Sequence, residues 1–303
     1  MRSLFLAAVL PLLSGVAEAQ ETSHYPAGAE GIKGSSIPGP GLYLKWYNIY
    51  FEADELKDRN GNALPVGFDL DLFATAPRLI WITQKKFLGA EFGCDILVPF
   101  FYIDVEIDAL GVSNTESGLG DIFVEPLLLS WHGQRYDAVA AIGFWAPSGD
   151  FEVGNAANPG KDFWTGMFTL GSTLYLDSEK TWSLSALGRY ETNSERDEIN
   201  IRPGDDFHIE WGLAKNVAKV WDVGVSAYTH WQVSDDSGSA LTTDPNLHDR
   251  FYSIGPEVQY FHQKSGLFFS LRYQFEIDAR DRPEGRNLVF SIVKQIGAPG
   301  KYK

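Results

Sequence analysis

Leu267-Phe268-Phe269-Ser270-Leu271-Arg272-Tyr273-Gln274-Phe275-Glu276-Ile277 is the stretch that decides the fold. Leu267, Phe269, Leu271, Tyr273, Phe275 and Ile277 fall on one face of a strand, and Ser270, Arg272, Gln274 and Glu276 on the other. Successive strand side chains face opposite sides, so the segment predicts a strand with one greasy face and one charged one. The pattern recurs upstream. Trp221, Val223, Val225, Ala227 and Trp231 oppose Asp222, Gly224, Ser226, Tyr228, His230 and Gln232; Ile209, Trp211 and Leu213 oppose His208, Glu210 and Gly212. Tyr252, Ile254, Val258 and Tyr260 oppose Ser253, Glu257 and Gln259, with Pro256 a residue more at home at edges and bulges.

About twelve such stretches follow residue 40, and their connections are long and short by turns. The long ones run roughly Asp54–Phe68, Asp104–Leu119, Ser148–Lys161, Glu191–Asp205, Ser234–His248 and Asp278–Gly285. Long loops at one end and tight turns at the other predict an all-β fold, a single antiparallel transmembrane β-barrel of about 12 strands. Trp221 and Trp231, spaced to span the apolar band of a tilted strand, are candidates for its two aromatic girdles.

The ends fit export to an outer membrane. Met1-Arg2, an apolar core from Leu4 to Val16 and Ala17-Glu18-Ala19 read as a signal peptide over 1–19. The organisation expected is then a Gly/Pro-rich segment over 20–40, a barrel over 41–297 and a tail over 298–303. Segment 20–40 has no amphipathic period, and two readings stand, a periplasmic extension or a plug inside the barrel. The regions Phe92–Ile103 and Ile122–Trp131 are apolar on both faces in part, which fits either packing against an inserted segment or an apolar stretch of a permeation path.

Composition narrows the class of function. The 303 residues carry a net charge of −15 and no basic cluster, which sets nucleic acid aside as a partner. Acid gathers in the long connections, where it either keeps an exposed surface soluble or binds divalent cations beside lipopolysaccharide. Cys94, the single cysteine, is expected on the lipid side with Phe92 and Ile96. None of the six histidines sits in a nucleophile motif or at a recognisable metal-ligand spacing, so no enzyme and no cofactor is expected. Candidate lumen residues are Glu91, Asp95, Glu125, Arg189, Glu210, Tyr228, His230, Gln232, Glu257, Gln259, Arg272 and Gln274. Arg189 and Arg272 either pair with Glu210 or Glu257, or tyrosine and glutamine donors form a constriction that meets a phenolic hydroxyl.

Several motifs carry a resemblance. His24-Tyr25-Pro26-Ala27-Gly28 with Gly31, Pro38-Gly39-Pro40-Gly41-Leu42-Tyr43, Gly118-Leu119-Gly120-Asp121 followed by Pro126-Leu127 and Trp131, and Gln232 with Asp235-Asp236-Ser237-Gly238 together resemble the family named for the meta-cleavage pathway of phenol degradation. The resemblance implies an outer-membrane channel, associated with aromatic catabolism, for passive uptake of small hydrophobic or aromatic solutes. Its partners would be outer-membrane lipid, lipopolysaccharide and the barrel-assembly machinery. The chain departs from the usual aromatic-terminated last strand, since about Asn287–Ile296 is followed by Gly297-Ala298-Pro299-Gly300-Lys301-Tyr302-Lys303. The alternatives are a structural or interaction protein of the outer membrane and a soluble exported carrier of apolar ligands.

Overall fold

The structure is a computed structural model that describes residues 23–26 and 28–297. The expected signal peptide and C-terminal tail lie outside the described residues. Fourteen strand segments form one antiparallel sheet: β1 (Gly41–Leu56), β2 (Phe68–Phe87), β3 (Ala90–Leu97), β4 (Phe100–Ile107), β5 (Val112–Leu119), β6 (Ile122–His132), β7 (Tyr136–Ala146), β8 (Thr165–Tyr175), β9 (Trp182–Asn193), β10 (Asp206–Val217), β11 (Trp221–Gln232), β12 (Arg250–His262), β13 (Leu267–Arg280) and β14 (Pro283–Gly297). Two of the breaks fall within a strand. β3 and β4 both pair with β2 and are parted only at Val98-Pro99, while β5 and β6 are parted at Gly120-Asp121. The fourteen segments therefore make twelve strands. β1 pairs with both β2 and β14, in register from Tyr43↔Gln295 to Phe51↔Asn287, and the sheet closes on itself without an edge.

The two faces are the inverse of a soluble protein's. Inside, Arg272, Glu257, His208 and Gln274 are each at most 2% exposed; outside, Leu170 is 70% exposed, and Phe73, Leu79, Val225, Ile254 and Leu271 also stand clear. Buried polarity with a continuous apolar exterior is stable only if lipid replaces water around the barrel. Aromatic residues gather at two heights. Trp221 stacks on Tyr260 near the tight turns, and Trp231 stacks on Phe207 and meets Tyr252 edge-on near the long loops. Cys94 faces outward opposite Trp81, and no helix among the described residues is long and apolar enough to cross a membrane.

Two of the expected long connections are corrected. Asp104–Leu119 is mostly strand, turning through the short helix η1 (Asp108–Leu110), and Asp278–Gly285 contains only the two-residue turn Asp281-Arg282 between β13 and β14. Here the barrel wall continues beyond the lipid belt and its pattern inverts. Ile103, Val105 and Ile107 point inward onto Leu56, Val66 and Phe68, while Glu106 and Asp69 face out. Water outside the wall now favours charge on that face. Pro256 does lie within β12, at a point where the ladder to β13 passes from Ile254↔Phe275 to Glu257↔Arg272.

Candidate functional site

Residues 23–26 and 28–40 run up the inside of the barrel, from the tight-turn end at Pro40 to the long-loop end at Ser23. A segment without secondary structure carries unpaired amides and carbonyls, which must find partners where water is scarce. The inward polar residues of β9 to β13 supply them. Glu257 accepts the Ile32 N–H at 2.9 Å, Gln259 donates to the Ile32 carbonyl at 3.0 Å, and Arg272 donates to the Gly28 carbonyl at 2.7 Å. Glu210 accepts both the Glu30 N–H at 2.8 Å and the Tyr25 hydroxyl at 2.9 Å, and Glu191 accepts the Tyr25 N–H. Nearer the tight turns, Lys33 Nζ meets Asp222 at 2.7 Å. Two glycines of the family-like motif are needed for this approach. A Cβ on Gly28, whose φ is +66°, would sit 2.1 Å from Gln274 Oε1, and one on Gly31 would sit 1.9 Å from Glu257 Oε2.

The segment's other flank carries charge to β1 and β2. Glu30 joins Lys45 and the Tyr47 hydroxyl, with the Arg78 guanidinium 3.7 Å away. Burial alone would raise the Glu30 carboxyl, but Lys45 and Arg78 beside it hold it down to about 2. Arg78 also forks onto Asp95, with both bonds at 2.8 Å, and reaches Glu125 at 3.0 Å.

Beside that anchor the wall is greasy. Ile49, Ala74, Ala76, Leu97, Phe101, Phe123, Leu128, Val139, Ala141, Trp145 and Met167 face the segment's Pro26 and Ala29 across a cavity of about 110 Å³. The lumen is thus divided. One wall holds the inserted segment by hydrogen bonds, and the opposite wall leaves an apolar crevice alongside it. At the crevice's loop end His24 stacks on Trp145, with ring centroids 5.6 Å apart, and meets Phe163 edge-on at 4.8 Å. His24 Nδ1 is 2.7 Å from the Thr165 hydroxyl. Its Nε2 is held by Asp121, at the break between β5 and β6, and Asp121 also accepts the N–H groups of Gly149 and Lys161.

The structure sorts the sequence-predicted lumen residues into groups. All are buried except Glu91, half-buried beside His132 at the turn end. Arg189 pairs with Glu210 and stacks over the Tyr25 ring at 3.8 Å, and Arg272 lies 3.7 Å from Glu257, as the pairing reading expects. The tyrosine and glutamine donors of the constriction reading are engaged by protein groups instead. Tyr228 bonds His208, Gln259 bonds Ile32 and Glu257, Gln274 bonds Ser226, and Gln232 bonds Asp236 near the loop rim. His230 faces His208 and Asp249. Sequence reasoning passed over Glu30, Arg78, Glu191 and His208 as site residues and met His24 and Asp121 only as motif residues. The one available signal for Arg78 was a charge at an inward position among the alanines of β2.

With this geometry in place, comparison with known proteins is decisive at the level of family. The profile of the family described as "Putative MetA-pathway of phenol degradation" matches residues 53–292, most of the chain. The chain belongs to that family. No curated protein sequence matches this family member. Among solved structures it is similar to the COG4313 outer membrane channel from Pseudomonas putida F1, with a TM-score of 0.76, 15% identity, and 90% of this chain and 99% of that one covered. It is also similar to the transport unit of the autotransporter AIDA-I from Escherichia coli, with a TM-score of 0.51, 8% identity, and 95% and 97% covered. At such identities the likeness is one of fold.

Proposed function

We propose that this protein is an outer-membrane channel for passive uptake of small hydrophobic or aromatic molecules of phenol-like size, working without cofactor or covalent chemistry. The observation that carries this reading is the divided lumen, in which an apolar crevice flanks a segment anchored on the opposite wall. A dry apolar cavity of roughly 150 Å³ admits benzene, and the cavity here is of that order at about 110 Å³. Family membership and the fold shared with the P. putida F1 outer membrane channel support the same reading. A phenolic hydroxyl would find its polar contacts at the crevice's charged margin, where Glu125 and Arg78 stand, while the apolar wall holds the ring. The long loops would face the outside, with the acidic strand tops at Asp69 and Glu106 meeting lipopolysaccharide through divalent cations.

The test is flux of phenol and toluene into proteoliposomes carrying the folded barrel, with a sugar of similar mass as comparison. The channel reading requires aromatic flux above that of empty vesicles and above that of the sugar. Equal flux of all three solutes, or none beyond the empty vesicle, would remove it.

A further inference from the structure

We propose that Asp206, His230 and Asp249 form a binding site for a first-row divalent metal ion such as Zn²⁺ at the loop end of the lumen. Each offers a ligand atom, and these atoms lie within 4.8 Å of one another. The residues are 0%, 1% and 5% exposed. His230 Nε2 is 2.9 Å from Asp249 Oδ1 and 3.4 Å from Asp206 Oδ1. Zinc–ligand bonds of about 2.0–2.1 Å in a tetrahedron place neighbouring ligand atoms roughly 3.3 Å apart, so the two spacings bracket that of a metal-bound set. One imidazole and two carboxylates suit a borderline cation better than calcium or magnesium, which take oxygen alone.

Contacts behind the ring hold His230 in place. His208 Nε2 lies 3.1 Å from the Glu191 carboxylate, and its Nδ1 meets the Tyr228 hydroxyl. His230 Nδ1 is 3.1 Å from the same His208 nitrogen. The other His230 nitrogen, Nε2, faces two carboxylate oxygens. The three ligand atoms converge on one buried point, where a metal ion would bond to all of them. Asp249 Oδ2, also buried, accepts no hydrogen bond. Arg282 stands 3.5 Å from that oxygen and offsets part of the local negative charge. His230 and Asp249 also border a cavity with Ser23 and Phe251, from which a water can take the remaining position.

The site joins the start of β10, the end of β11 and the residue before β12, so a bound ion clamps both ends of the 233–249 loop. Through His208 and Glu191 it also borders the Ser23 end of the inserted segment.

The experiment is titration of the chelator-treated, detergent-folded full-length barrel with Zn²⁺, read by calorimetry. His230→Gln, Asp249→Asn and His248→Gln run in parallel, the last removing an exposed histidine 2.8 Å from Asp235. Expected is one Zn²⁺ per chain, with affinity at least tenfold lower in His230→Gln and Asp249→Asn and unchanged in His248→Gln. Zn²⁺ should also raise the temperature at which the unboiled gel band shifts. Should both buried variants fail to fold, X-ray absorption on the wild-type complex decides. One imidazole nitrogen with carboxylate oxygens supports the site, and two or more imidazoles, or none, overturns it. Absence of stoichiometric binding, or loss only in His248→Gln, overturns it too.

Discussion

His24 Nε2 lies 2.7 Å from Asp121 Oδ2, a contact between residues 97 apart in sequence that joins the inserted segment to the break in the barrel wall. Since Asp121 also receives the N–H groups of Gly149 and Lys161, one carboxylate fixes segment, wall and the 147–164 loop together.

Asp121→Asn keeps the shape and removes the charge. Hydrogen bonds to charged groups contribute about 1.5–3 kcal/mol, and the variant should lose about that much local stability. The expected outcome is a barrel that still migrates as folded on an unboiled gel but shows more frequent openings in single-channel records. An unchanged opening frequency would mean that the segment is held without this contact.

Deletion of 23–40 should leave a folded barrel, because β1 closes on both β2 and β14 without help from the segment. Conductance for small ions should rise several-fold. The exposed inward charges, Glu257, Arg272, Glu210 and Arg189, should then make it dependent on salt. A deletion that abolishes the heat-modifiable band would show that the segment is part of the core.

Acid should release the segment through Glu30. Its carboxyl titrates near 2 when docked, against an ordinary value of 4.5. A depressed folded value means that the stabilisation is complete above the ordinary value and is lost as the pH falls through about 2. Conductance should therefore stay constant from pH 7 to about 5 and climb below about 4, and the climb should be absent in Glu30→Gln. A rise between pH 7 and 5 would point to another group.

Ala141→Phe places a ring in the crevice from the wall opposite the anchors, at a position only 4% exposed. Aromatic flux should fall at least tenfold with no change in the folded gel mobility. Leu170→Phe, on the lipid face at 70% exposure, is the control and should leave flux unaltered.

Gly120→Ala probes the break itself. A Cβ there would lie 2.3 Å from Phe101 Cε2 and 3.1 Å from Pro99 Cγ. Overpacking of this kind costs about 1–3 kcal/mol, so the band-shift temperature should drop, and a second change of Phe101→Leu should restore part of it.

The strands were legible because lipid and lumen impose opposite demands on alternate residues. Leu271 and Phe275 outside, Arg272 and Gln274 inside, follow from period two alone. The same reading put Glu257, Gln259, Arg189 and Glu210 on the lumen side, and left open whether the arginines pair with the glutamates or line a constriction. Where the wall rises above the lipid the rule changed sign. Ile103, Val105 and Ile107 turn inward there, and a stretch that looked like a loop is strand.

What the chain determined by itself is therefore the closed barrel, its greasy exterior and its polar lumen, each set by a repeat only two residues long. The tertiary structure alone decided what fills the lumen. The 23–40 segment has no period to read, and its partners, Asp121, Glu210, Glu257 and Arg272, stand some hundred to more than two hundred residues away. Hydrogen bonds to irregular backbone depend on where the closed wall brings those side chains, and closure is a property of twelve strands together.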